Sequence, residues 1–258
     1  MQFDAIILAG GESSSELKAL APYDKEALIL IGKYPMIFYV YKALRESPYI
    51  RNVVISGPVE ALRNLFSKEE QLFFTEGGDN AVESFLNAVT VLKENDISEK
   101  LIILPTDIPF ITKEAIEDFI FRCRIDEADF YYPLTSKEVN ELKFPDVVRT
   151  YVRLKEGIFT GGNLFLIKTE KIDEMIEIAH KIILRRKNPL AIARLFGIIL
   201  VFKYLIHRLT IHAAEKRFYS VTNIKGKAII SPYAEVGIDV DKPSDLELAQ
   251  EYLADINI

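Results

Sequence analysis

Short runs of apolar, often β-branched residues recur along the first 170 positions and alternate with longer segments whose apolar residues fall three and four apart. Residues 3–8, 52–56, 100–104 and 128–133 read as strands, and several are apolar at nearly every position, so both of their faces need cover. Between them, residues 35–46, 58–66, 80–94 and 112–124 have helical spacing. Pro35 and Pro58 stand where helices start, and Thr112 has a side chain suited to capping one. This alternation predicts an α/β fold with a Rossmann-like, mostly parallel sheet and helices on both faces. In such sheets ligands bind beyond the carboxyl ends of the strands.

Two further strands are predicted at 149–154 and 164–167, separated by a loop over 157–163. The pattern then changes. Residues 178–214 contain no Asp or Glu, while Lys181, Arg185, Arg186, Lys187, Arg194, Lys203 and Arg208 accumulate on helical patterns broken by Pro189. We read residues 171–218 as a basic helical insert within one domain spanning 1–258. A strand at 227–230 and a helix at 243–254 close the chain. The insert has two readings: a helical pair with Ile182, Ile183, Leu190, Ile192, Leu195, Phe196, Ile199 and Phe202 turned inward, or a surface for an anionic or lipid-linked acceptor or a membrane.

Composition narrows this picture. With 49% hydrophobic residues and 27% charged, the chain can bury a large core. A net charge of -6 argues against a surface devoted to nucleic acid. Cys123, the only cysteine, excludes an internal disulfide and falls on the apolar side of a helical pattern, so we expect a buried thiol and a reducing, cytoplasmic setting. Met1 leads straight into a strand pattern with no signal-peptide regions, and the most apolar run, 195–202, is far below the roughly 20 residues that span a bilayer. His207 and His212 lie five apart, off the face that helical metal pairs use, so no zinc is assigned.

Four constellations could support chemistry. Gly10 and Gly11 follow the first strand, where paired glycines permit a tight turn and a close approach of N–H groups to phosphate; an ordinary turn is the alternative. Lys18 and Lys25 lie just downstream. Asp107, within Pro105-Thr106-Asp107-Ile108-Pro109, leaves a buried strand at its carboxyl end, either to meet a hard cation or to cap the turn before Thr112. Gly161-Gly162-Asn163 precedes another strand. Finally, Asp239 and Asp241 alternate with Ile238 and Val240 ahead of Pro243-Ser244-Asp245, which puts both carboxylates on one side of an extended segment and suits a cation; for this motif and the glycine pair before it ordinary turn chemistry is the alternative, with a helix start at Ser244 or Asp245.

Taken in order, these motifs resemble the MobA-like nucleotidyltransferases, over roughly residues 3–170 and 227–254. The resemblance implies a Rossmann-like nucleotidyltransferase fold of GT-A-like type. It also implies an NTP substrate with Mg²⁺, and transfer of NMP to a phosphorylated small-molecule acceptor with release of pyrophosphate. It casts Gly10 and Gly11 as phosphate-loop glycines, Lys25 as the charge-neutralising lysine and Asp107 as the principal metal ligand, completed by Asp239 and Asp241. Gly77, Gly78 and Ser84 resemble a segment near the nucleotide, and Gly162 with Asn163 an acceptor-side loop. Where family members usually place an arginine, this chain has Glu12-Ser13-Ser14-Ser15-Glu16-Leu17-Lys18, so Lys18 or a metal would have to offset two carboxylates. A nucleotide-sugar glycosyltransferase would share the fold but needs a paired-acid motif, and Asp107 is followed by Ile108 and Pro109. A nucleotide-binding protein without catalysis is the non-enzymatic alternative.

Overall fold

The computed structural model describes residues 2–66, 69–183 and 197–255. A nine-stranded sheet organises it. One half is parallel: β1 (Phe3–Leu8) lies between β4 (Ile50–Gly57) and β6 (Lys100–Pro105), and β5 (Leu72–Glu76) extends β4 at the edge. The other half is mixed. β10 (Phe165–Lys168) runs antiparallel between β6 and β7 (Phe130–Ser136); β7 also pairs with β11 (Gly226–Ser231) in parallel and with β9 (Gly157–Gly161) antiparallel, and β8 (Val152–Leu154) pairs with β9. A two-residue pair, β2 (Leu30–Ile31) and β3 (Tyr34–Pro35), stands apart.

The continuous apolar strands are buried on both faces. On one side, α2 (Met36–Arg45) and α5 (Lys113–Cys123) pack Val40, Leu44, Ile116 and Phe119 against Ile7, Ile55 and Leu104. On the other, α4 (Ala81–Lys93) and α7 (Ile172–Ile183) cover Ile6, Val54 and Leu101 with Phe85, Val89 and Ile172. The predicted starts form, with Thr112 accepting from the Ala115 N–H and Pro35 and Pro58 at cap positions, and Asn80 adds a cap the sequence reading did not name, accepting from Val82 and Glu83. Cys123 is buried in the first of these layers, and burial pushes its thiol pKa up.

Several boundaries differ from the sequence reading. The segment assigned to a loop at 157–163 contains β9, because Ile158-Phe159-Thr160 supplies strand-forming side chains between glycines that read as loop. The strand assigned to 149–154 begins only at Val152, which leaves Arg149 in the connection. The sequence pattern did not reveal β5 or the short helices α1 (Ser15–Leu20) and α6 (Lys137–Lys143), and α3 (Val59–Leu65) is shorter than its pattern. In the basic segment the described parts are helical: α7, α8 (Ile198–Leu205) and α9 (Ile211–Thr222). Arg185, Arg186, Lys187, Pro189, Leu190, Ile192, Arg194, Leu195 and Phe196 lie outside the described residues, as do the side chains of Lys181, Ile182, Ile183 and Ile199; Phe202, expected to turn inward, is exposed near the end of α8 instead. The last helix, α10 (Pro243–Leu253), starts with Pro243 at its first turn.

Candidate active site

The order of the parallel half puts a topological switch beside β1: the chain moves outward from β1 to β4 and β5, then returns to β6 on β1's other side. The crevice beyond the carboxyl ends of β1 and β6 is therefore the place to look. Leu8 is in register with Pro105, and the Thr106 N–H donates to the Leu8 carbonyl at 3.2 Å, so the glycine loop and the Asp107 turn leave the sheet side by side.

In the glycine loop, the Lys25 ammonium donates to the Gly10 carbonyl at 3.0 Å and lies 3.6 Å from Glu12, and a single antiparallel bridge joins residues 12 and 25. Glu12 is thus paired with the lysine. Lys18 instead forms an ion pair with Asp24 at 3.0 Å. Ser13 is buried with its hydroxyl unpartnered, and Ser14 caps α1.

The Gly77-Gly78-Ser84 segment does reach this loop. A methyl group on Gly10 would stand 3.5 Å from the Ser84 hydroxyl and 4.0 Å from the Gly77 Cα, while the Ser84 hydroxyl accepts from the Gly78 N–H at 3.0 Å. Gly57 is packed directly on Ala9. Three chain segments approach one another closely here, and small residues permit it.

Asp107 sits opposite. One carboxylate oxygen, Oδ1, is sealed from solvent and has no hydrogen-bond partner, although the residue as a whole is only half-buried. The Val240 N–H donates to the Asp107 carbonyl at 2.7 Å, which brings Asp239 and Asp241 to either side of that contact. Ile238 is buried, and the alternation of Asp239 and Asp241 with it and with Val240 is the one expected of an extended segment. Asp245 acts locally, since its carboxylate accepts from the N–H groups of Asp241 and Lys242 and starts α10.

Sequence reasoning missed two residues here. Glu26 approaches from the lysine side, close enough that a Cβ on Gly11 would stand 2.7 Å from its carboxylate. Arg149 forms an ion pair with Asp239 and is mostly buried. A strand label hid Arg149, and Glu26 lay next to a more conspicuous lysine. The carboxylates act on one another. Burial, with Asp239, Glu26 and Asp241 nearby, raises the Asp107 pKa to about 7. Burial, then Asp241 and Asp239, raises Glu26 to about 7 as well. Asp241 is raised by burial and by Asp239, against the opposing charge of Arg149.

Gly162 and Asn163 belong to the same neighbourhood through their backbone. The Gly162 N–H donates to Pro133, the Asn163 N–H donates to Val236, and Gly237 packs on Gly161 with Arg149 alongside. A side chain at 162 would meet the Val236 carbonyl at 2.7 Å. The predicted residues therefore fall into two groups beyond the carboxyl ends of β1 and β6, with Lys18 paired to Asp24 and Lys25 to Glu12.

A parallel half-sheet with a glycine loop and a strand-end carboxylate at its switch point is an arrangement that α/β folds use to bind ligands. The chain belongs to the MobA-like NTP transferase family, whose domain model matches residues 5–195. It is 31% identical to a hypothetical transferase from Thermus thermophilus, with a TM-score of 0.80 and coverage of 95% of this chain and 100% of that one. The 4-diphosphocytidyl-2C-methyl-D-erythritol synthase of Anaerococcus prevotii has the same fold at 15% identity, with a TM-score of 0.62 over 98% and 96% of the two chains. A CMP:2-keto-3-deoxy-manno-octonic acid synthetase complexed with CTP has it at 14% identity, with a TM-score of 0.59 over 98% and 99%. No curated protein matches the chain.

Proposed function

We propose that this nucleotidyltransferase moves the NMP group of an NTP onto a phosphorylated small-molecule acceptor and releases pyrophosphate, with Mg²⁺. An acceptor phosphate oxygen attacks the α-phosphorus, the bond from that phosphorus to the bridging oxygen breaks, and pyrophosphate leaves with the electron pair. Such transfer asks a protein mainly to position groups and oppose charge.

The observation that supports this most is the unpartnered, buried Asp107 oxygen at the switch point, flanked by Asp239 and Asp241. A carboxylate held in that state gains from a hard cation, and the donors present are all oxygen. Among the described residues no three His, Cys, Asp or Glu side chains could hold an ion by themselves, so substrate phosphates and water would complete the shell, as is usual for Mg²⁺. Bound there, the ion would neutralise phosphate charge. The chain's own contribution is positional. Gly10 and Gly11 leave room for phosphate oxygens, and Lys25, held at the loop by the Gly10 carbonyl, supplies positive charge. Arg149 orients Asp239. The Gly162-Asn163 turn, pinned to residues 133 and 236, borders the acceptor side.

Incubating the protein with each NTP, Mg²⁺ and a panel of phosphorylated acceptors, and following pyrophosphate, tests this directly. Release that requires both an acceptor and Asp107 supports the reading. Release of inorganic phosphate alone, or none with any pair, counts against it.

A further inference from the structure

The stretch from Phe202 to Arg208 is exposed at every residue, although it contains Phe202, Tyr204, Leu205 and Ile206. Phe202 and Leu205 are 62% and 66% exposed. Water gains nothing from such a surface, and burying side chains of this size is worth about 1.5–3 kcal/mol each. Lys203 and Arg208 lie at the same helix end. Two carboxylates of neighbouring elements are already engaged: Glu156, in the turn between β8 and β9, accepts from the Ile211 N–H, and Glu215, on the following helix, accepts from the Ala228 N–H and pairs with Lys227.

We infer that α8 and the turn after it dock the protein on an anionic lipid surface, Phe202 and Leu205 entering the headgroup boundary while Lys203 and Arg208 meet lipid phosphates. Charge complementarity selects this occupant. The chain as a whole is acidic, at -6, yet residues 197–214 hold Lys203 and Arg208 and no Asp or Glu beside their apolar side chains, the pattern of an interfacial segment. Among the described residues no helix is long and apolar enough to cross a membrane, so the contact is peripheral. The opposite side of α8 is anchored to the body of the fold: Leu200 shares an apolar cavity with Phe130, Tyr132 and Phe218. Tyr132 packs on Phe165 and on Gly161, next to the Gly162 turn, so the docked face adjoins the crevice described above.

Flotation of the full chain with vesicles tests it. At low salt the protein should float with phosphatidylcholine vesicles containing about 30% phosphatidylglycerol and stay behind with phosphatidylcholine alone. Raising NaCl to about 0.5 M should release it, since screening then acts within a few ångströms. The double variant F202S/L205S, with its thermal melt unchanged because both side chains are exposed, should bind at least about tenfold more weakly. K203Q/R208Q should flatten the salt dependence. A wild-type chain that ignores anionic vesicles at low salt overturns the inference. So does equal binding by F202S/L205S, or a concentration-dependent dimer that this variant abolishes in the absence of vesicle binding, which would make a second copy the occupant.

Discussion

The main-chain N–H of Val240 donates to the carbonyl oxygen of Asp107 over 2.7 Å, and this one bond joins the turn after β6 to the segment that holds Asp239 and Asp241. Neither residue needs a particular side chain to make it. It sets two distant acidic stretches face to face and leaves the Asp107 carboxylate free for another partner.

Asp107→Asn should therefore separate stability from turnover. Above about pH 7 the substitution removes a buried charge that three neighbouring carboxylates oppose, so there the free protein should melt at the wild-type temperature or about 2–4 °C above it for each kcal/mol relieved. Pyrophosphate release should fall by about 10²-fold or more. Near wild-type turnover with Mg²⁺ would remove Asp107 from the site.

The free protein should lose stability as pH rises. In the fold Asp107 and Glu26 keep their protons to about pH 7, whereas unfolded they release them near the ordinary carboxylate values of 3.8 and 4.5. Within that window the native state binds more protons, so the unfolding free energy falls from about pH 4 to about pH 7 and levels off above. Denaturant titrations in metal-free buffer from about pH 5 to about pH 8 measure the slope. Glu26→Gln with Asp107→Asn should flatten it, and an unchanged slope in that double variant would exclude these groups as its source.

Lys25 and Glu12 should behave asymmetrically. Lys25→Ala removes the positive charge held at the Gly10 carbonyl and should lower turnover by about 10²-fold. Glu12→Gln breaks an exposed pair of the kind worth about 0–1 kcal/mol, so KM for the NTP should drop by no more than about fivefold while kcat holds. Initial rates against NTP concentration distinguish the two. A large loss in the Glu12 variant would mean that the pair positions Lys25 and is not merely competing for it.

Two glycines should fail for different reasons. At Gly162 a methyl group meets the Val236 carbonyl at 2.7 Å, and backbone must yield, so Gly162→Ala should destabilise by about 1–3 kcal/mol. At Gly10 the nearest atom is the Ser84 hydroxyl at 3.5 Å, an ordinary contact. Gly10→Ala should keep the wild-type melt and weaken nucleotide binding, measured calorimetrically. A Gly10 variant that binds as wild type would assign the loop to turn geometry alone.

The parallel half of the sheet was legible because strands buried on both faces must be apolar throughout, and β1, β4 and β6 nearly are. β5 was not, since an edge strand ending in Thr75-Glu76 has neither that continuity nor a clean alternation. β9 was hidden by the glycines at its ends. At the site, Gly10, Lys25, Asp107 and Asp239 drew attention through their positions relative to strand ends and through the order of their motifs. Arg149 and Glu26 did not, because what distinguishes them is a partner far away in sequence, and spacing holds no trace of that. Lys18 stood out through the same stretch, and its partner Asp24 is close in sequence.

Cys123, at the end of α5, gives the molecule a built-in reporter. Its thiol is sealed between that helix and the sheet, and burial keeps it protonated. A thiol-reactive dye can then reach it only when α5 lifts away, and with no other cysteine in the chain every labelling event records that one opening. The labelling rate, read with and without nucleotide, becomes a measure of how firmly a ligand in the crevice holds the far side of the sheet closed.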